Sequence, residues 1–492
     1  MKLNMLLFGL LAATPAAMLA QTTPLEAGKA YTAAHKQELT KQFEEFLSMP
    51  NVAADPAGLK KNAEFLKAQL EKRGFEARLL TAPGLPEGTP YSVWGEMKTP
   101  GAKRTIVLYA HYDGQPVTPS EWENGKPFTP VEKMVDGQLR VYARSAGDDK
   151  DSIFAQLTAY DALKAAGIPL KANIRFVWEG EEENGSTHFA KILASNHDLV
   201  TGDVWLFCDG PTDQTGKPII AFGTRGDAHL QVTIFGPHRA LHSGHYGNWA
   251  PNPALALVQL LAGMKDGNGK VLIPHFYDGM VPMGPLDLKA MAEAPVNDNA
   301  LRKELWLGRT DGGGKHLIEM ITYPSLNING ISSGQTGPAA ANVIPISATA
   351  NLDMRLPLGI DWKVEQDRVI DYVKSQGYYV TATKPTQDEL LSHPHVAWIE
   401  RNQGENAART PLDTPIAVDV VRAVNSTHGP AVLVPTSGAT GPEDAMEKAT
   451  GSKVIHVSMA NHDDNQHAAN ENLVMQNLWD GVDMMAALIA MP

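Results

Sequence analysis

The sequence predicts an α/β protein in which a mostly parallel central sheet flanked by helices is interrupted by a smaller α+β unit. Three observations predict it. Short apolar runs rich in β-formers, Thr105 to Ala110 (TIVLYA), Ile174 to Trp178 (IRFVW) and Val204 to Cys208 (VWLFC), alternate with helical periodicity. Runs apolar at every position are strands covered on both faces, as in a parallel sheet packed between helices. Past Gly223 the pattern changes to strict alternation: Ile346, Ala348, Ala350, Leu352 and Met354 interleave with Ser347, Thr349, Asn351, Asp353 and Arg355, a strand with one buried and one polar face. Finally, 492 residues with 43% hydrophobic content hold two or three core-forming units at about 100–200 residues per domain.

In chain order, the first twenty residues read as a secretory signal peptide: Lys2, a mostly apolar stretch from Met5 to Ala13, and small residues ending at Ala20 before Gln21. With Cys208 as the one cysteine and no intrachain disulfide, the expectation is a periplasmic or secreted product without staples. Phe43, Phe46, Leu47, Leu59, Phe65, Leu66 and Leu70 recur at helical spacing and predict two surface helices between Thr40 and Arg73. A helix from near Asp151 carries Ile153, Leu157 and Tyr160 on one face. After Gly223 come a strand at Leu230, Val232 and Ile234, a helix over Asn252 to Met264 with Pro near its start, the strand at 346–355, a helix from Asp361 to Gln376 and a strand at Tyr379 to Thr383. A helix near Ile416 to Val424 and a strand at Lys453 to Val457 resume the α/β pattern. The expected division is a leader at 1–20, a catalytic part at 21–222, an insertion at 223–387 and a second catalytic part at 388–492.

The formal charge of −13 argues against a nucleic-acid partner held by phosphate neutralisation, and no later stretch has the ~20 uninterrupted apolar residues of a membrane span. The chemistry lies in where acids and histidines fall. His111 and Asp113 follow TIVLYA; Asp148 and Asp149 precede a helix; Glu181, Glu182 and Glu183 follow IRFVW; Asp209 follows VWLFC; His467 closes D-D-N-Q-H. Singly, each has an ordinary explanation: a helix cap, a solvated loop, a turn residue. Together they gather at the carboxyl edge, where such sheets form their sites, and supply a nitrogen and oxygen ligand set suited to zinc or a similar first-row metal. A shared carboxylate could bridge two such ions.

These residues lie in longer motifs: H-Y-D-G-Q-P-V (111–117), Trp122 followed by P-F-T-P (127–130), R-S-A-G-D-D-K (144–150), E-G-E-E-E-N-G-S (179–186), L-H-S-G (241–244), N-V-I-P (342–345) and D-D-N-Q-H (463–467). In order and spacing, from about residue 35 to the C-terminus, the set resembles the carnosinase, aminoacylase and carboxypeptidase G group of two-metal peptidases. The resemblance implies a catalytic domain with an inserted ferredoxin-like lid that also forms the surface of a homodimer. It implies Asp148 as the bridge between two Zn²⁺ ions, with Mn²⁺ or Co²⁺ as substitutes, His111 and Asp209 completing one site and Glu183 and His467 the other. Glu182 is implied as general base, Asp113 as the acid orienting the His111 ring, and His242 as oxyanion donor. Asn342 and Arg355 resemble positions that hold the amide or terminal carboxylate of a small peptide substrate.

Three positions depart from the group's pattern. Gly114 replaces an aliphatic residue, Asp151 adds charge where glycine is common, and Thr440 replaces a serine of the substrate loop at S-G-A-T-G-P (437–442). The expected activity is dipeptide hydrolysis. The alternatives are an N-acyl-amino-acid deacylase with the same site, a non-catalytic periplasmic binding protein, and a serine hydrolase built on G-I-S-S-G (330–334), which lacks the helix a nucleophile elbow requires. Cys208 reads as a small apolar residue closing a buried strand.

Overall fold

The computed structural model describes residues 22–492. Its larger sheet has eight strands in the order Glu76–Leu80, Ser92–Met97, Asn173–Glu179, Thr105–His111, Val204–Phe207, Lys453–Val457, Ile219–Ala221 and Val432–Val434. The middle of the sheet is parallel, from Asn173–Glu179 through Thr105–His111 and Val204–Phe207 to Lys453–Val457. Antiparallel pairings flank it, at Glu76–Leu80 with Ser92–Met97, Ser92–Met97 with Asn173–Glu179, and Lys453–Val457 with Ile219–Ala221. Ile219–Ala221 pairs in parallel with Val432–Val434 at the far edge, so four of the seven pairings are parallel and the sheet is mixed with a mostly parallel centre, as expected. Glu76–Leu80 lacks an apolar signature because it is an edge strand whose Glu76 and Arg78 point to solvent.

The apolar runs are continuous because successive side chains of a strand enter opposite layers. Ile106, Leu108 and Ala110 pack into one core with the helices Pro24–Leu47, Pro56–Arg73, Lys150–Ala165 and Met475–Ile489. Val107 and Tyr109 enter the core of the other face with Trp94, Phe189, Trp205 and Met446. Phe43, Leu47, Leu66 and Leu70 of the two predicted helices are buried. The first of these helices begins well before Thr40, at Pro24, behind a capping box in which Thr23 and Glu26 satisfy each other's backbone amides.

The second sheet has five strands in the order Ser325–Ser332, Ser347–Leu356, Gly226–Phe235, Val396–Arg401 and Tyr379–Thr381. Ala348, Ala350, Leu352 and Met354 face a separate core with Leu257 and Leu260 of helix Pro253–Ala262 and Val369 and Val373 of helix Trp362–Ser375. Ile346 lies before the strand and is exposed. Two corrections follow. Val396–Arg401, assigned from sequence to the second catalytic part at 388–492, pairs with Gly226–Phe235 and with Tyr379–Thr381, so the chain leaves the small unit only after it. The G-I-S-S-G run ends strand Ser325–Ser332 and has no helix directly after it, which removes the nucleophile-elbow alternative.

The two connections between units run side by side. Gly223–Thr224 pairs with Ala408–Arg409, and Asp227 bridges Glu405. A Cβ at Gly223 would overlap the carbonyl oxygen of Ala408, so glycine is required for this approach. Among the described residues, no helix is long and apolar enough to cross a membrane.

Candidate metal centre and substrate cleft

Four strand ends and loops of the large sheet converge at its carboxyl edge. His111 is the last residue of its strand; Asp209 lies two residues past Val204–Phe207; Asp148 immediately precedes Asp149, the N-cap of helix Lys150–Ala165; Glu182 and Glu183 open a short turn after Asn173–Glu179. His467 arrives from the 461–470 loop with φ of 61°, a left-handed conformation that a side chain at this position accepts only under tertiary constraint.

The His111 Nε2 atom lies 2.9 Å from Asp148 Oδ1 and 3.9 Å from Asp209 Oδ2. The other Asp148 oxygen lies 3.1 Å from His467 Nε2, which is 3.3 Å from Glu183 Oε2. The result is two trios, His111/Asp148/Asp209 and Asp148/Glu183/His467, each with its donor atoms within 4.8 Å of one another and with Asp148 common to both. All five sequence-predicted ligands are thereby brought together. Asp209 Oδ1 is buried without a hydrogen-bond partner, and among the described residues His111 Nε2 faces only carboxylates, a costly arrangement for polar atoms unless an ion takes them up. Two imidazoles and three carboxylates around two positions match the donor chemistry of zinc and related divalent ions.

The electrostatics point the same way. Burial, reinforced by the charge of Asp148, pushes Glu183 up to about 8 and Asp209 up to about 6. Burial likewise raises Glu182. Asp148 is held well below the carboxylate range: burial opposes its ionisation, but the imidazoles of His111 and His467 bond to it. The hydrogen bond to Asp148 lifts His467 to about 9. Acids crowded at low dielectric need compensating positive charge.

The supporting groups are less legible in sequence. Asp113 sits 3.5 Å from His111 Nδ1 through its carboxylate, while its own carbonyl oxygen is closer, at 3.2 Å. Its carboxylate oxygens accept the backbone amides of Glu182 at 3.2 Å and Glu183 at 3.0 Å, so it fixes the glutamate turn as well as facing the ring. Gln115 donates to Glu183 through its backbone at 3.1 Å and its side chain at 2.7 Å; Gln466 donates to Asp148 at 2.8 Å. Both sit inside the quoted motifs, where their position was the available signal. Glu471, fully buried, accepts the amides of Ser145, Gly147 and Asp148 and pairs with Arg144 at 2.6 Å. Nothing in the sequence around it marks that role. Asp151, expected to add charge near the bridging site, is buried without hydrogen-bond partners on either oxygen, and burial raises its carboxyl well above the usual carboxylate range, which disfavours that charge.

A cleft of about 510 Å³ opens beside this centre, lined by Glu182, Asp227, Arg355, Glu405 and Thr440 among others. Arg355 Nη1 donates to Thr440 Oγ1 at 2.8 Å, and its Nε lies 3.4 Å from Asp353. His242 and Asn342 are also brought together, His242 opposite Val343 in a short ladder and Ser243 donating to the Asn342 carbonyl at 2.9 Å. They stand apart from the residues lining the Glu182 cleft, and His242 Nδ1 accepts the amide of Gly244 at 3.0 Å.

Residues 107–491 match the model of peptidase family M20/M25/M40. The chain is 25% identical over 469 residues to the Cys-Gly metallodipeptidase DUG1 of Candida albicans, covering 91% of this chain and 93% of that protein. It is 26% identical over 420 residues to the human Beta-Ala-His dipeptidase, covering 82% and 78%. Among solved structures, an M20 family metallo-carboxypeptidase from Sulfolobus solfataricus superposes with a TM-score of 0.76 at 25% identity, over 92% of this chain and 99% of that one. These findings correct the expected destination. The relatives matched, Cys-Gly metallodipeptidases of three fungi among them, contradict the periplasmic or secreted reading, and the leader expected at 1–20 lies outside the described residues. With the family model matched over more than half its length and its fold shared with solved members, the chain belongs to peptidase family M20/M25/M40 and is a metallopeptidase, a hydrolase of peptide bonds.

Proposed function

We propose that the chain hydrolyses dipeptides with a pair of divalent cations, zinc foremost and Mn²⁺ or Co²⁺ as substitutes, and with Glu182 as general base. The observation that carries the reading is Asp148 shared between two ligand trios, with Glu182 Oε2 4.0 Å from His111 Nε2 on the cleft side. His111 and Asp209 would hold one cation, Glu183 and His467 the other, and Asp148 both. The cations supply Lewis acidity, lowering the pKa of a water and polarising the scissile carbonyl. Glu182, its proton affinity raised by burial, takes a proton from the attacking water and delivers it to the departing amine. Asp113 keeps the Glu182–Glu183 turn and the His111 ring in place.

Arg355, steadied by Thr440, receives the C-terminal carboxylate of the substrate. The five-stranded unit serves as lid and as the surface of a homodimer, in which His242 and Asn342 complete the cleft of the partner subunit. Two features support this: Ser325–Ser332 is an edge strand with exposed Ile328 and Ile331, and His242 and Asn342 lie outside the cleft of their own chain. The relatives named above are dipeptidases, so the deacylase and binding-protein alternatives have no comparable support.

The test is hydrolysis of a panel of dipeptides and N-acetyl amino acids by zinc-loaded enzyme, with and without chelator, alongside Glu182→Gln. Dipeptide cleavage abolished by chelator, with kcat of Glu182→Gln down about 10²–10⁴-fold and KM little changed, is the expected result. Full activity in Glu182→Gln, or cleavage of the acetylated compounds alone, overturns the reading.

A further inference from the structure

Four charged side chains line the cleft, and three are acidic: Glu182, Asp227 and Glu405 against Arg355. Glu182 faces the metal centre. The other three form a row across adjacent strands, because Arg355 is the register partner of Asp227 and Asp227 bridges Glu405. Directly paired residues point to the same side of a sheet, and all three line the one cleft.

Asp227 is committed within the protein. One carboxylate oxygen accepts the Glu405 amide at 2.9 Å, and the other lies 3.0 Å from His229 Nε2. Arg355 is held by Thr440 at 2.8 Å. Glu405 differs: its backbone is locked, with Asp227 donating to its carbonyl at 2.9 Å and its own amide bonded to Asp227, yet among the described residues no cationic side chain pairs with its carboxylate. Burial, then repulsion from Asp444 and Asp227, raises the carboxyl against a bond from Gln403 and the more distant charge of Lys448. It is a fixed, half-buried acid that gains from a cation entering the cleft.

We propose that Glu405 makes the cleft selective for dipeptides whose C-terminal residue carries a cationic side chain, lysine or arginine. The inference rests on the dipeptidase reading and on Arg355 receiving the terminal carboxylate. From Arg355 to Glu405 is two strand spacings, roughly 10 Å, a gap that an extended lysyl or arginyl side chain spans from its own carboxylate. A neutral side chain of the same length leaves the Glu405 charge uncompensated, and an acidic one adds repulsion beside Asp227 and Glu405.

The experiment compares kcat/KM for Ala-Lys, its neutral isostere Ala-norleucine, and Ala-Glu on the full zinc-loaded chain. The expected Ala-Lys to Ala-norleucine ratio is about ten, the size of one charge-assisted contact, and it falls as salt is added. Glu405→Gln brings the ratio to about one, and Glu405→Lys turns the preference toward Ala-Glu. A wild-type ratio at or below one overturns the proposal even if the variants misfold. A ratio that persists in a folded Glu405→Gln overturns the assignment to Glu405. No hydrolysis of any of the three by the wild type overturns the dipeptidase reading itself, and this proposal with it.

Discussion

Replacing Glu471 by alanine tests whether one buried carboxylate holds the loop that presents Asp148. Glu471 accepts the amides of Ser145 at 3.1 Å, Gly147 at 3.0 Å and Asp148 at 3.1 Å, and binds the buried Arg144 guanidinium at 2.6 Å. Truncation leaves that guanidinium unpaired, a loss of about 3–5 kcal/mol, and strips three amides of their acceptor at about 1–3 kcal/mol each. These costs are not additive, since water enters the vacated space and the loop relaxes. We therefore expect a stability loss of about 5 kcal/mol. Arg144→Ala should cost less, about 3 kcal/mol, because Glu471 keeps its three amide donors. Denaturant unfolding of the metal-free chain measures both without metal binding masking the change. Chelator-competition titration of the folded variants should show zinc affinity down by about 10–100-fold, the usual penalty for removing a group that orients a ligand. A Glu471→Ala protein that unfolds at the wild-type midpoint, or an Arg144→Ala protein less stable than Glu471→Ala, refutes the argument.

Two further outcomes follow from groups outside the metal ligands. Burial pushes Glu365 up to about 7 despite Arg368 at 2.7 Å, so the folded chain keeps a proton that the unfolded chain releases near its ordinary value of 4.5. The contribution of Glu365 to stability is fully present below that lower value and is lost as pH rises through 7; Glu365→Gln should remove this part of the slope and be more stable than wild type at pH 8, and unfolding midpoints at pH 5 and pH 8 that show no difference in slope between the two proteins count against it. Thr440→Val removes the acceptor that holds Arg355 at 2.8 Å. Steady-state kinetics on a dipeptide should show KM raised about 3–10-fold, the worth of one hydrogen bond of about 1 kcal/mol, with kcat within about twofold; unchanged KM would remove Thr440 from the carboxylate site.

The chain itself carried the strand pattern and the identity of the candidate metal ligands. TIVLYA, IRFVW and VWLFC are unbroken because their side chains enter two cores, and a strand buried on both faces leaves that mark whatever its neighbours are. His111, Asp148, Glu183, Asp209 and His467 were legible as candidate ligands for a related reason: few residue types suit a metal, and all but His467 follow a strand or precede a helix at one edge of the sheet. Sheet order and the limits of the small unit were not legible. Val396–Arg401 reads the same whether it pairs with Gly226–Phe235 or rejoins the large sheet, because pairing is a choice of partner, and hydrophobic alternation specifies a face without naming a neighbour. Of the supporting shell, Asp113 was named for the His111 ring, but its hold on the glutamate turn and the whole role of Glu471 were hidden for the same physical reason. Glu471 and Asp113 act through backbone amides, which every residue offers, so their roles exist only once the folded chain brings Ser145, Gly147, Asp148, Glu182 and Glu183 within hydrogen-bond distance. Likewise the row of Arg355, Asp227 and Glu405 spans three separate stretches of chain, and only tertiary register turns them into one wall of a cleft.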